Sequence, residues 1–508
     1  MSVKPTYLLL FFFSLLTAFS QEIQKGSVNK DRQFLIDQKE ISATDSLGNF
    51  VSIRPHRING TLRNYFIEFH DALNFTKRIE IETQNETKIL DVFIANEKAH
   101  VFIKERKNKS ISLRCDIINL KTQSFEQKFL LKVDKKASLE MYRALKNDFG
   151  VNLEHSSKIV LSFPVIENKL VYAFVKVFTN ELEELKEHKI YADKNIPSTN
   201  TRFLNASQDQ NNIYLLFNVI YSKDKKTYKL IELNSKKSLE IKIEPDTYEL
   251  INSDIRESHY VISGLYSEYK KGRFEGFTNH TIDLESFTIK SQQQTVFSNE
   301  RARQYFKGIF KANKDVDIKN IFIDEQFNTY VIGQFHTIKH QLHNPSIVTP
   351  MPHPGLPLEL GHVSVYITTT PFSKGEKLYD DILIGKINPN GELLWDTVLE
   401  LRQTEEIKNK HINRDSSTFT FFANDHPNIL MNGYINTKKD RLIIQQDKRL
   451  SKTNLYNVKV TPDGEILPEV LFPNSDFIFI TDRAVKTKNN IHILGQGNMR
   501  KQLLKLTF

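Results

Sequence analysis

Cysteine is almost absent: Cys115 stands alone in 508 residues. No intramolecular disulfide can form, so stability must come from burial and backbone pairing. A secreted eukaryotic chain of this length ordinarily carries several cysteines. Long apolar runs are also missing after the first twenty residues, so nothing later in the chain reads as a membrane span. Charge of one sign is never concentrated. The formal net charge is +9, but Lys223 to Lys226 and Lys486 to Lys488 are short runs beside turns. With neither a basic stripe nor a nucleic-acid motif, the composition argues against a DNA or RNA partner.

Catalytic signatures are missing as well. There is no G-x-S-x-G, no H-E-x-x-H and no phosphate-cradling glycine loop, and Gly495-Gln-Gly497 reads as a turn. Calcium loops are absent, Asp315-Val-Asp317 being too short to form one. Cys115 falls in a strand-like stretch, where a small buried hydrophobe is expected rather than a nucleophile. Paired carboxylates such as Asp380 and Asp381 carry no signal in a chain with 61 acidic residues. These two read as solvating a turn ahead of a strand.

What is present begins with Met1 to Ser20, which has the form of a secretory signal. Lys4 is the positive start, Leu8 to Leu16 the apolar run, and Ala18-Phe19-Ser20 the small-x-small cleavage site. Removing it leaves a chain from about Gln21 with a net charge of 69 − 61 = +8. With a single cysteine, this suggests a bacterial protein of the periplasm or the exterior. The sequons at Asn59, Asn74, Asn85, Asn108, Asn205 and Asn279 are of the number that a Lys- and Asn-rich chain produces by chance.

From Asn49 onward, short runs of β-branched and aromatic residues alternate with Asn/Asp/Lys/Gly turns. Tyr65 to Phe69, Ile159 to Phe163, Ile213 to Ile220 and Tyr330 to Phe335 are examples. The class is all-β. The clearest stretch is Asp380 to Leu401, two strands around Asn388-Pro389-Asn390-Gly391. Pro presets φ there, and Gly supplies the positive φ that the turn requires. Lys386 to Leu394 returns as Lys459 to Leu467, identical at five of nine positions.

Each unit reads strand, polar turn, strand, variable loop, strand, turn, strand. Asp209 to Asn212 and Asp324 to Asn328 are such first turns. Four antiparallel strands repeated every 50 to 70 residues or so describe the blades of a β-propeller. About seven blades are expected, with six and eight open, in one domain over 21–508. A β-sandwich array is the rival, but no Pro/Gly/Ser-rich linker separates units. Lys501 to Phe508 reads as a third strand with no room for a fourth, so a segment within Gln33 to Ile53 is expected to close the ring. Helices are expected over Ala137 to Phe149, Asn180 to His188 and Ser298 to Lys311.

On these repeats the chain resembles β-propeller proteins secreted by bacteria. With one Trp and no regular Gly-His…Trp-Asp pairs it departs from the WD type, so no family site transfers. The resemblance implies a radial fold with one open face for binding.

The most unusual segment is His336 to His362, holding five of the fifteen histidines and five of the sixteen prolines. It reads as a loop inserted into one repeat. His336, His340 and His343 are close enough in sequence to hold a transition metal such as zinc, copper or nickel. A polyproline-like loop with exposed histidines, or one that docks a partner, fits the same residues. Tyr266 and Tyr269 are candidates for stacking on a sugar. The function expected is a non-enzymatic binding or scaffold protein with a protein or glycan ligand on one face. The alternative is an envelope hydrolase or lyase acting on glycan or peptide, metal-assisted through the 336–362 loop.

Overall fold

The computed structural model describes residues 22–30, 41–45, 47–58, 61–71, 73–82, 87–146, 151–155, 158–244, 246–268, 274–306, 314–341, 374–406, 418–438, 441–445, 453–473, 477–481, 484–487, 490–497 and 500–508. The chain is an eight-bladed β-propeller of four-stranded antiparallel blades. Seven blades run in order over 41–82, 87–134, 152–191, 201–243, 248–296, 314–406 and 419–472. The eighth combines the C-terminal strands with an N-terminal one. The count falls within the expected range of six to eight.

Burial follows position in the blade. The middle strands Leu170–Phe178 and His259–Ser267 are buried along almost their whole length, because neighbouring blades cover both faces. The outer strand Glu184–Tyr191 is mostly exposed. The core is therefore a series of layers between blades. Val160 and Val177 of blade 3 pack with Phe203 and Leu215 of blade 4, and Tyr214 and Leu230 of blade 4 pack with Tyr260 and Ile282 of blade 5. Each such side chain is worth about 1.5–3 kcal/mol of burial.

Closure uses an earlier segment than expected. Glu22–Lys25 pairs antiparallel with Arg500–Thr507, from Glu22 opposite Thr507 to Lys25 opposite Leu504, and supplies the fourth strand of blade 8. Within the expected interval, Ile41–Thr44 and Phe50–Ile58 are instead the two inner strands of blade 1. The chain must enter blade 1 at its inner strand, so the closing strand has to precede it. Gly26 seals the seam. Its N–H donates to the Leu503 carbonyl and its own carbonyl accepts from Gln502 Nε2, both at 2.9 Å. A Cβ on Gly26 would stand 2.0 Å from the Leu73 carbonyl oxygen. Gly26→Ala should cost about 3 kcal/mol by forcing the two backbones apart. Urea unfolding reads this directly, and a change below about 0.5 kcal/mol, the size of an ordinary surface substitution, would refute the close approach.

The repeated hairpin occupies the same place, between the third and fourth strands, in blades 6 and 7. Gly391 and Gly464 have φ of 91° and 87°, as the turn required. Repetition has a packing reason. A Cβ at Gly391 would meet Gln293 of blade 5 at 2.5 Å, and one at Gly464 would meet the Trp395 ring of blade 6 at 2.9 Å. Trp395 Nε1 donates to the Pro462 carbonyl at 2.5 Å. Each turn seats against the preceding blade.

Two of the three expected helices form. The helix α1, Leu139–Lys146, starts behind Ser138, whose Oγ accepts from Met141 N at 3.4 Å. The helix α2, Glu300–Phe306, is capped by Asn299, whose Oδ1 accepts from the N–H groups of Arg301 and Ala302. The third, over Asn180 to His188, does not. Thr179 Oγ1 accepts from Glu181 N and Glu183 N in a turn, and Glu184–Tyr191 pairs along Leu170–Phe178 as the outer strand. Sheet pairing outweighed the capping pair that Asn180 and Glu183 offer in the sequence.

Three smaller expectations are also corrected. Gly495 to Gly497 end the strand Asn490–Gly497 rather than forming a turn, and Gly495 makes room for the Phe479 ring. Asp381 does not solvate a turn. It is buried in the strand Lys374–Ile387, accepting from Arg301 Nη2 at 2.7 Å and Leu401 N at 3.1 Å. Tyr266 is 3% exposed and unavailable for stacking, while Tyr269 lies outside the described residues.

Candidate functional site

In a meander of antiparallel strands, successive connections fall at opposite ends. Links between blades and loops between second and third strands therefore share one face of the ring. That face carries α1, α2 and the attachment of the 342–373 segment. Blade 6 is extended there. Its second and third strands have 13 and 14 residues, against 9 and 9 in blade 3, so they rise about 15 Å beyond it. On the same face Arg441–Gln445 pairs parallel to Glu400–Arg402 and antiparallel to 434–438, joining blades 6 and 7 into one sheet. The opposite face holds the short turns, including both copies of the repeated hairpin.

The insertion-bearing face also contains a cavity of about 620 Å³ between blades 3 and 4, roofed by α1. Its volume is in the range of small-molecule sites. The helix contributes Glu140, Arg143 and Ala144. The hairpin of blade 3 contributes Pro164, Ile166 and Val171, the link into blade 4 contributes Ser198, and the first strand of blade 4 contributes 201–204. Local geometry explains three of these. The pairing of the first strand of blade 4 shifts register between Phe203 and Asn205. The bulge leaves Leu204 outside the ladder and re-aims it. The tight turn at Asn168 and Lys169, both at positive φ, folds the blade 3 hairpin back so that Ile166 and Val171 stand opposite each other.

The walls are mainly apolar. Val171 and Phe203 are buried, and Ile166 remains 53% exposed at the rim. The polar groups are few. Among the described residues, neither Arg143 nor Arg202 has an ion-pair or hydrogen-bond partner. Thr201 is 6% exposed and its Oγ1 has no protein partner. A buried hydroxyl without a partner loses roughly 1–3 kcal/mol, which a ligand atom would restore.

Two other polar groupings stand out, the first enclosed and the second half-buried. In the seam between blades 4 and 5, Glu249 accepts from Thr278 Oγ1 at 2.8 Å and Gln294 Nε2 at 3.0 Å, with His280 Nε2 at 3.3 Å. Burial alone would raise its carboxyl, yet these partners hold it below the ordinary value. Glu249 and His280 are each 1% exposed and His280 lies against Tyr228 of blade 4, so the pair is packed inside the seam and does not meet a substrate. On the inner strands, Asn205 Nδ2 donates to Ser253 Oγ at 2.7 Å. Nearby, burial raises the Asp254 carboxyl to about 6.

Of the residues singled out in the sequence, Cys115 is fully buried, and burial pushes its thiol well up, as a small core hydrophobe requires. The backbones of His336 and His340 lie in the strand Thr329–Gln341, paired with Tyr379 and Gly375. Their side chains and all of His343 lie outside the described residues. Among the described residues, no three His, Cys, Asp or Glu side chains gather to hold a metal ion, and no helix is long and apolar enough to cross a membrane. The cavity was missed by sequence reading. Arg143 lies on a helix that was foreseen, but nothing in the sequence marks Ser198, in the link between blades, or Thr201 and Arg202, at the start of the first strand of blade 4.

No protein-family model and no curated protein matches the chain. Solved structures that resemble it include a prolyl endopeptidase at 8% identity and TM-score 0.40. That likeness covers 91% of this chain and 55% of the enzyme, so the chain spans about half its length. The WD40 domain of SCAP from fission yeast is similar at 8% identity and TM-score 0.37, covering 96% of this chain and 94% of that one. The β-propeller domain of the Trilobed protease from Pyrococcus furiosus, which has an open velcro topology, matches at 10% identity and TM-score 0.33 over 83% and 93%.

Proposed function

We propose that this chain is an exported, non-enzymatic binding propeller that holds its ligand on the face carrying the insertions. Export is read from Met1 to Ser20 and the near absence of cysteine. The observation that carries binding is the cavity under α1, an open apolar recess with unpaired polar groups on a stiff ring. Recognition residues placed on loops over a rigid scaffold are the usual arrangement for binding. Protein and glycan ligands both suit such a face.

The test is a thermal-stability screen of the purified protein against soluble glycans, peptides and small amphiphiles, repeated with Ser198→Trp, which fills the recess from a surface link. A stabilising compound recovered chemically unchanged, and ineffective on Ser198→Trp, is the expected result. Conversion of the compound to product would favour the alternative, a hydrolase or lyase acting on glycan or peptide. The metal-assisted form of that alternative is checked by elemental analysis after exposure to zinc, copper and nickel. Near-stoichiometric metal that is lost when His336, His340 and His343 become Ala would make the segment a metal site and favour that form, which conversion of a compound would still have to show. A screen in which nothing stabilises the wild type overturns the binding reading.

A further inference from the structure

The composition of the cavity is more specific than its size. Two guanidiniums, Arg143 on α1 and Arg202 on the first strand of blade 4, line it together with one carboxylate, Glu140. They leave one net positive charge. Neither arginine has a partner among the described residues, so both guanidiniums are free to bond a carboxylate or phosphate. Beside Arg202 stands Thr201, buried, with a hydroxyl that no protein group satisfies. The remaining wall is aliphatic and aromatic, ending at the exposed Ile166.

We infer that the cavity binds a monoanionic amphiphile. Its carboxylate, sulfate or phosphate monoester head would be met by the Arg143 and Arg202 guanidiniums, with its apolar body against Ile166, Val171 and Phe203, on whose side of the strand the Thr201 hydroxyl lies. This rests on the reading that the insertion-bearing face binds a ligand, and it names the ligand's chemistry. A neutral apolar molecule would leave the Thr201 hydroxyl unmet and gain nothing from the two guanidiniums. A small hydrophilic anion would leave the apolar wall wet. A polyanion exceeds the single net charge that the two arginines and Glu140 provide. Only a molecule with one charge and an apolar body answers all three features.

The experiment is equilibrium binding of octanoate, octanol and inorganic sulfate to the full chain, to Arg143→Gln/Arg202→Gln and to Ser198→Trp. Both arginines are exposed, so unfolding midpoints should be unchanged and any loss reports the site. The expected result is one octanoate per chain, bound about tenfold or more tighter than octanol or sulfate, the factor that one charge-assisted contact supplies. The double variant should lose that preference, and Ser198→Trp should bind none of the three. Equal binding of octanoate and octanol, unaffected by the arginine changes, would overturn the charge assignment while leaving a binding cavity. Sulfate bound as well as octanoate would overturn the apolar half. If none of the three binds, the inference falls. The reading of the face as a binding surface then stands or falls separately, on the wider screen.

Discussion

Glu68→Gln should lower the stability of the propeller by about 3–5 kcal/mol at pH 7, the size expected when one member of a buried ion network is removed. Glu68 is 2% exposed and accepts from Arg54 Nη2 at 3.3 Å, Arg78 Nη2 at 2.5 Å and Lys501 Nζ at 3.4 Å. Arg54 and Lys501 are nearly as buried as the carboxylate. Lys501 belongs to blade 8 and the others to blade 1, so the cluster spans the seam where the ring closes. Gln keeps the shape but withdraws the charge against which three cations are set. Burial alone would raise the Glu68 carboxyl, yet Lys501, Arg54 and Arg78 bring it down to about 2.

The sign follows from that value. A carboxyl held below its ordinary 4.5 stabilises the fold fully above that pH, and the contribution is lost as pH falls through 4.5 towards 2. The stability gap between wild type and Glu68→Gln should therefore be widest at neutral pH and narrow below pH 4.5. Urea unfolding of both proteins at several pH values measures it. A gap under about 1 kcal/mol at pH 7, the worth of an ordinary surface pair, would mean that closure depends on strand pairing alone.

How much of this was legible in the sequence depends on the range of the interaction. The blades were readable because each is a run of neighbours. Ile213–Ser222 and Lys225–Glu232 pair with a turn of two residues between them, and the glycines of the repeated hairpin stand where their φ is needed. Closure was half readable. Arg500–Thr507 showed that a partner strand was missing, but choosing that partner needs the register with Glu22–Lys25, some 480 residues away. Local signals misled where a longer contact won, as over Asn180 to His188, where Asn180 and Glu183 resemble a capping pair but lead into the outer strand Glu184–Tyr191. Asp381 looked like a turn residue because its partner, Arg301, lies 80 residues earlier. The cavity under α1 is the extreme case, since three separate links converge there and none is unusual alone.

Acid should weaken the fold well before Glu68 titrates, through three buried histidines. His70, His100 and His492 are at most 6% exposed. His70 Nδ1, His100 Nδ1 and both nitrogens of His492 have no protein partner among the described residues. Aromatic rings surround them. Phe50 meets His70 edge-on at 5.4 Å and lies 6.0 Å from His492, and Phe93 stacks on His100 at 4.7 Å. Burial in such surroundings penalises the imidazolium, and each value falls from 6.5 to about 4, with nearby lysines adding to the effect. The unfolded chain then binds protons between pH 6.5 and 4 that the folded chain refuses. Stability is complete above pH 6.5 and declines as pH falls to 4, by up to roughly 3 kcal/mol for each histidine. His492→Met keeps a similar volume without a titrating group. It should leave stability near pH 7.5 within about 1.5 kcal/mol of wild type and recover up to roughly 3 kcal/mol of the loss at pH 4. Urea midpoints from pH 8 to 4 decide the matter. If wild type and variant lose stability in parallel across that range, His492 is not buried neutral, and the seam beside Phe50 must be wetter than its packing indicates.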